Sequence, residues 1–185
     1  MRKVLKILFF FILIGLLSYL FFYTYLRFYK KFYYDKKYSF YITDQRQWYA
    51  TSRSGAEVYY AIGTKNEEKN NDKIVSSFSV SPVTHQSHQN QEEVGQKFEN
   101  TCHELYIELK GQDYQFSQLM LKEKQALVCS FKAIPNHVDN LFLLKQYYLF
   151  NPKGEYDYIL TVSYPADNLV ELEKVESILE SFNIR

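Results

Sequence analysis

Four side chains near the middle of the chain are of types that ligate metals or carry nucleophilic chemistry. His85 and His88 stand three positions apart in a stretch rich in Gln, Asn and Ser, and Cys102 and His103 follow. With Glu92 or Glu93 they would suit zinc, which accepts imidazole, thiolate and carboxylate in a tetrahedral site. Their placement argues against it. Cys102 falls on an apolar stripe while His85 and His88 fall in a polar loop, so the donors do not converge. The expectation is no metal and no cofactor, with His85 and His88 as the residues to locate. No serine sits in a nucleophile elbow, and no glycine-rich loop follows a strand. Cys102 and Cys129 lack a neighbouring base to form a thiolate, and the acidic residues fall singly on polar faces. The chain therefore reads as a protein without catalytic residues.

Hydrophobic periodicity supplies the elements that would position these residues. Short β-prone runs occupy 38–43, 48–51 and 56–62, and a charged stretch from Thr64 to Lys73, with Glu67 and Glu68, reads as an exposed loop. A strand over 74–80 places Ile74, Ser76, Phe78 and Val80 on one face, and Pro82 is expected to stop it. Asn90 opens a helix over 91–110 with Glu93 completing a capping box. Val94, Phe98, Thr101, Cys102, Leu105 and Leu109 form its stripe, and Gly111 is expected to end it. A strand over 113–122 and a turn at 123–125 lead to 126–134, where Leu127, Cys129, Phe131 and Ala133 share a face. Runs over 141–150 and 155–164 flank the turn formers Asn151 to Gly154, the clearest hairpin of the chain. Asn168 opens a last helix, with Glu171 as box partner and Leu169, Leu172, Val175, Ile178, Leu179 and Phe182 as its stripe. Strands joined by tight turns are antiparallel, and two amphipathic helices need a sheet to cover. The fold class is α+β: an antiparallel sheet of about six or seven strands carrying two helices, in one domain over 38–185.

Cys102 and Cys129 lie on stripes that seek the same core. Either they form a disulfide or they sit as two buried thiols, and the bridge is preferred. It would close a loop of 27 residues and contribute about 3 kcal/mol on the chain-entropy model.

Ahead of the domain, 20 consecutive residues from Ile7 to Leu26 carry no charge. At 1.5 Å per helical residue that spans a bilayer core of roughly 30 Å. Residues 4–26 therefore read as a transmembrane signal anchor contacting the lipid bilayer. Arg27, Lys30 and Lys31 follow as a stop-transfer pattern, and no small-x-small cleavage site intervenes. Residues 27–37 form a basic, Tyr-rich stalk suited to the headgroup region. Arg2, Lys3 and Lys6 precede the span, and Arg27, Lys30, Lys31, Lys36 and Lys37 follow it, so flanking charge does not decide the orientation. The signal-like layout and the cysteine pair favour a single pass through the inner membrane with the domain in the periplasm. A net charge of +1 gives no general attraction to nucleic acid.

Phe78 to Pro82 before an amphipathic helix, the block from Lys145 to Pro165, and a final helix ending in Ile178 to Phe182 together resemble the PsbP/DcrB-like group of α+β domains. The resemblance covers 74–184, about 60% of the chain, with Gln125 and Ala126 where such domains often carry Asn-Gly. It implies an accessory or chaperone-like domain that binds other proteins and shares no catalytic residues. The function expected is a membrane-tethered interaction module, an immunity protein or accessory factor for a secreted toxin or effector. The partner surface would be the loop with Glu67 and Glu68, or Tyr147 and Tyr148 if their face is uncovered. A second reading is an envelope domain holding a lipid or apolar ligand in a cavity lined by residues such as Phe98, Phe131 and Tyr158. A metal-dependent enzyme built on His85 and His88 is third. The cysteine pairing makes the first prediction: thiol labelling of unfolded, unreduced protein leaves both cysteines unmodified, and two reactive thiols would sink the bridge.

Overall fold

The computed structural model describes residues 12–21, 33–43, 48–51, 58–62, 76–84, 90–135 and 140–185. Residues 12–21 are helical and exposed throughout (α1). The strands are β1 (Tyr33–Asp35), β2 (Phe40–Ile42), β3 (Tyr49–Thr51), β4 (Val58–Ile62) and β5 (Ser76–Thr84). Helix α2 (Gln91–Glu108) precedes β6 (Gln112–Leu121), β7 (Lys124–Ala133), β8 (Phe142–Leu149) and β9 (Tyr156–Pro165). The chain ends with α3 (Leu169–Ser181) and β10 (Phe182–Ile184). Among the described residues no helix is long and apolar enough to cross a membrane. The remainder of the expected span 4–26 lies outside the described residues.

The architecture is α+β, with two antiparallel sheets. Seven strands run in the order β3-β4-β5-β9-β8-β7-β6, and three in the order β1-β2-β10. The expected hairpin is present, with Tyr147 opposite Leu160 and Leu149 opposite Tyr158. Its turn closes through the Gly154 amide, which donates to the Asn151 carbonyl at 2.9 Å. The β5–β9 pairing joins strands far apart in the chain, with Phe78 opposite Val162.

Alternation along the central strands makes both faces of the large sheet apolar. Phe78, Val80, Ala126, Val128, Tyr147, Leu149, Tyr158, Leu160 and Val162 pack in one core with Val175, Ile178 and Leu179 of α3. Leu127, Cys129, Phe131, Ala133, Tyr148 and Phe150 pack in a second core with Phe98 and Cys102 of α2. The helices therefore cover opposite faces. Phe40, Ile42 and Phe182 bring the small sheet onto the α3 side, where the Phe40 and Phe182 rings lie 5.5 Å apart.

Several expectations need correction. Tyr33 to Asp35, assigned to the stalk, form β1, and Tyr33 packs 5.9 Å from the Phe40 ring. Pro82 does not stop its strand; it pairs with Tyr158, and among the described residues it has no partner on the β4 side. A missing N–H is tolerated where one side of a strand has no ladder. The β6–β7 turn is Lys122-Glu123, one residue earlier than expected, and both have positive φ (48° and 65°). Such a two-residue turn matches the twist of its strands. Leu169, placed in the apolar stripe of the last helix, is 75% exposed, and Phe182 leaves the helix to enter β10. Glu171 is not simply a cap partner. It is buried, accepting from Ser76 Oγ of β5 at 2.6 Å and pairing with Lys174. That carboxylate ties α3 to the sheet with its charge compensated, as burial demands.

The end of α2 also differs from expectation. Lys110, not Gly111, takes the left-handed conformation, with φ 50°. Its amide bonds the Ile107 carbonyl at 3.0 Å, while the Gly111 amide bonds the Tyr106 carbonyl at 2.8 Å, the paired bonds of a Schellman cap. Gly111 is needed for space: a Cβ there would meet Tyr106 Cδ2 at 2.5 Å and Phe131 Cδ2 at 2.9 Å. Gly111→Ala is expected to destabilise by roughly 1–3 kcal/mol through overpacking. Lys110→Gly is expected to stabilise by up to about 1 kcal/mol by relieving the left-handed residue. Chemical denaturation midpoints check both signs.

Candidate interaction surface

Cys102 of α2 and Cys129 of β7 form a disulfide, with Cα atoms 6.5 Å apart. Both are fully buried, so the bridge clamps α2 against the sheet from inside the core. It also removes Cys102 as a metal ligand. His103 lies on the exposed side of α2, its ring 5.3 Å from Tyr114 and 5.6 Å from Tyr106. Among the described residues no group of three His, Cys, Asp or Glu could hold a metal ion. His85, His88, Glu67 and Glu68 lie outside the described residues.

Tyr147 and Tyr148, expected as exposed contacts for a partner, are 8% and 6% exposed and point into opposite cores. Both faces of β8 are covered, so neither ring is open to a partner. Tyr148 Oη donates to Asp157 Oδ2 at 2.8 Å, and the Asn151 amide donates to Asp157 Oδ1 at 2.7 Å. Asp157 is thus a buried acceptor joining strand and turn. Phe98 and Phe131 share the α2 core, whereas Tyr158 faces α3. Those three residues do not line a common cavity.

The open concavities lie elsewhere. A cleft of about 380 Å³ runs between the N-terminal half of α2 and the sheet, bounded by Glu92, Gln96 and Glu99 on the helix and Phe116, Gln118 and Leu127 on the strands. Gln91, Gln125 and Phe150 continue it into a second hollow of about 300 Å³ beside the β8–β9 turn. Asn90 fixes the entrance by accepting from the Glu92 amide at 3.2 Å. The walls are mostly amides and carboxylates, a lining suited to polypeptide rather than to a lipid tail. Along the cleft runs β6, the end strand of the large sheet, with Met120 65% exposed. Sequence reasoning missed this surface, although the uncharged run from Tyr114 to Leu121 was its signal.

No family model matches the chain, and no curated protein matches it. Solved structures share its fold. A protein of Bacteroides thetaiotaomicron aligns with a TM-score of 0.57 and 8% identity over 84% of this chain. The chain spans about half of that protein, 48% of its length. LpqN of Mycobacterium tuberculosis, involved in cell envelope biogenesis, aligns at 0.52 and 14% identity, covering 84% of this chain and 90% of LpqN. The Saccharomyces cerevisiae Ran-binding protein Mog1p aligns at 0.50 and 8% identity, covering 84% and 95%. At these identities the likeness is one of fold.

The buried tyrosines carry a pH signature. Burial pushes the Tyr147 and Tyr158 hydroxyls up to about 12, with Glu176 adding at Tyr147 and Asp157 and Asp35 at Tyr158. Tyr148 is raised by burial and then by its bond to Asp157. A tyrosine that ionises near 10 when unfolded but only near 12 when folded leaves the unfolded state holding fewer protons between those values. Its stabilisation is complete below pH 10 and is lost as pH rises toward 12. Of the 18 tyrosines, the buried Tyr147, Tyr148 and Tyr158 should therefore add their tyrosinate absorbance as a separate late rise in an alkaline titration, together with unfolding. A single rise that reaches full amplitude near 10 with the fold intact would contradict the burial.

Proposed function

We propose that this protein is a non-catalytic interaction module tethered to the inner membrane, with its domain in the periplasm. In the sharper form, it serves as an immunity protein or accessory factor for a secreted toxin or effector. The observation that carries the reading is the buried Cys102–Cys129 bridge. Disulfides persist in oxidising compartments, and the uncharged stretch from Ile7 to Leu26 provides a means of holding the domain beside one.

Other features support this reading. The cleft beside α2 is polar and open, a shape for a polypeptide surface. LpqN, involved in envelope biogenesis, and Mog1p, a Ran-binding protein, use the same fold and lend weight to an envelope setting and a protein partner. Membership of the PsbP/DcrB-like group is part of the same proposal. It is supported by the hairpin, the final helix and the buried Phe182 at that helix's end.

Two measurements test it. An alkaline phosphatase fusion at the C-terminus is expected to be active, and activity only of a cytoplasmic reporter would overturn the orientation. Affinity purification of the full chain from solubilised membranes is expected to retain one protein in stoichiometric amount; retention of none would count against the module.

A further inference from the structure

The two ends of the large sheet are unlike. At one end β3 is three residues long, and a short edge gives other chains little to pair with. At the other end β6 is ten residues long and has no strand on its outer side among the described residues. Proteins usually blunt such an edge with lysine, proline or a bulge. Here the irregularity lies at the far end, between Gln112 and Gln115, where Asp113 has φ 56° and pairs with Lys132. From Tyr114 to Leu121 there is no charge, proline or glycine. The tight turn after Leu121 makes Leu121 and Lys124 the closing pair of the ladder. Alternation from that pair directs the backbone groups of Phe116, Gln118 and Met120 toward the open side.

The same even-numbered residues project their side chains onto the α2 face, where Phe116 and Gln118 share the cleft with Glu92 and Glu99. Tyr114 Oη reaches the Glu99 carbonyl at 3.5 Å, which places that helix turn beside the strand. Among the described residues no lysine or arginine lines this cleft, and Lys124 and Lys153 stand in the adjoining hollow. A strand laid along β6 would send alternate side chains toward two carboxylates and an apolar shelf of Phe116 and Met120. A second copy of this chain would instead bring the same carboxylates to the same side of the seam.

We propose that the open edge of β6 takes up an extended, basic segment of a partner polypeptide as an added strand, its Lys or Arg side chains facing Glu92 and Glu99. This rests on the reading of the protein as an interaction module and names the surface and the chemistry of its partner. The ladder supplies affinity and the cleft supplies the preference for alternating basic residues.

Amide hydrogen exchange on the full chain in lipid nanodiscs tests it. The probe is a synthetic peptide in which Lys alternates with Val, compared with one carrying Glu in place of Lys. The Lys peptide is expected to slow exchange at Gln118 and Met120 by at least about fivefold, and the Glu peptide to leave them unchanged. Gln118→Pro removes an outward N–H without touching the β7 ladder and is expected to abolish the protection. Glu99→Lys, a backbone-neutral change should the proline variant fail to fold, is expected to weaken peptide binding about tenfold. Unprotected β6 amides, equal protection by the Glu peptide, or a dimer joined through β6 would each overturn the proposal. If Gln118→Pro retains the membrane partner as the parent chain does, the edge is excluded while the module stands. If neither retains a partner, the module reading falls and the peptide exchange alone judges the edge.

Discussion

A sheet that is apolar on both faces cannot be satisfied by one helix, and that requirement organises this molecule. In β7 the residues from Ala126 to Cys129 are all buried, although neighbours point to opposite faces. The same holds for Tyr147 and Tyr148 in β8. Burying a large apolar side chain stabilises by about 1.5–3 kcal/mol relative to exposure, so leaving either face bare would forfeit several such terms. Helix α2 closes one face and α3, with the three-stranded sheet, closes the other. Each cover is also tied by a specific link besides packing: α2 by the Cys102–Cys129 bridge, α3 by the compensated carboxylate of Glu171 on Ser76.

This double closure shapes what is left for function. Among the described residues most aromatic side chains are spent on the cores and their ring contacts, as with Phe98 beside Tyr148 at 5.4 Å. A partner of the kind proposed would therefore meet the rims: the cleft where α2 stands away from the sheet, and the strand edge next to it. Main-chain groups at an edge need no particular side chains to recognise another strand, which suits a surface that composition does not advertise.

The fold was largely legible because local rules suffice for it. Period-two alternation marks β7 and β9, the Asn151 to Gly154 turn closes their neighbouring hairpin, and Asn90 and Asn168 cap the two helices where their spacing says they should. Two stripes seeking one core brought Cys102 and Cys129 together in the reading, with a bridge preferred over two buried thiols, and the structure joins them. The candidate site was far less legible. Tyr147 and Tyr148 look like exposed aromatics unless one knows that both faces of β8 are covered. Asp157 and Glu171 look like ordinary solvated acids until the turn and the neighbouring strand close over them.

The sequence by itself determined the longer elements, the Asn caps that open α2 and α3, the common core sought by Cys102 and Cys129, and the uncharged stretch that precedes the domain. These depend on neighbours within a few positions, where spacing translates directly into geometry. Only the tertiary structure decided that β5 lies beside β9, that the helices take opposite faces, and that β6 ends the sheet. Those outcomes depend on which distant strands pair, and the hydrogen-bonding groups that select a neighbour are the same at every residue. For that reason the open edge, made of backbone rather than of distinctive side chains, could emerge only from the assembled fold.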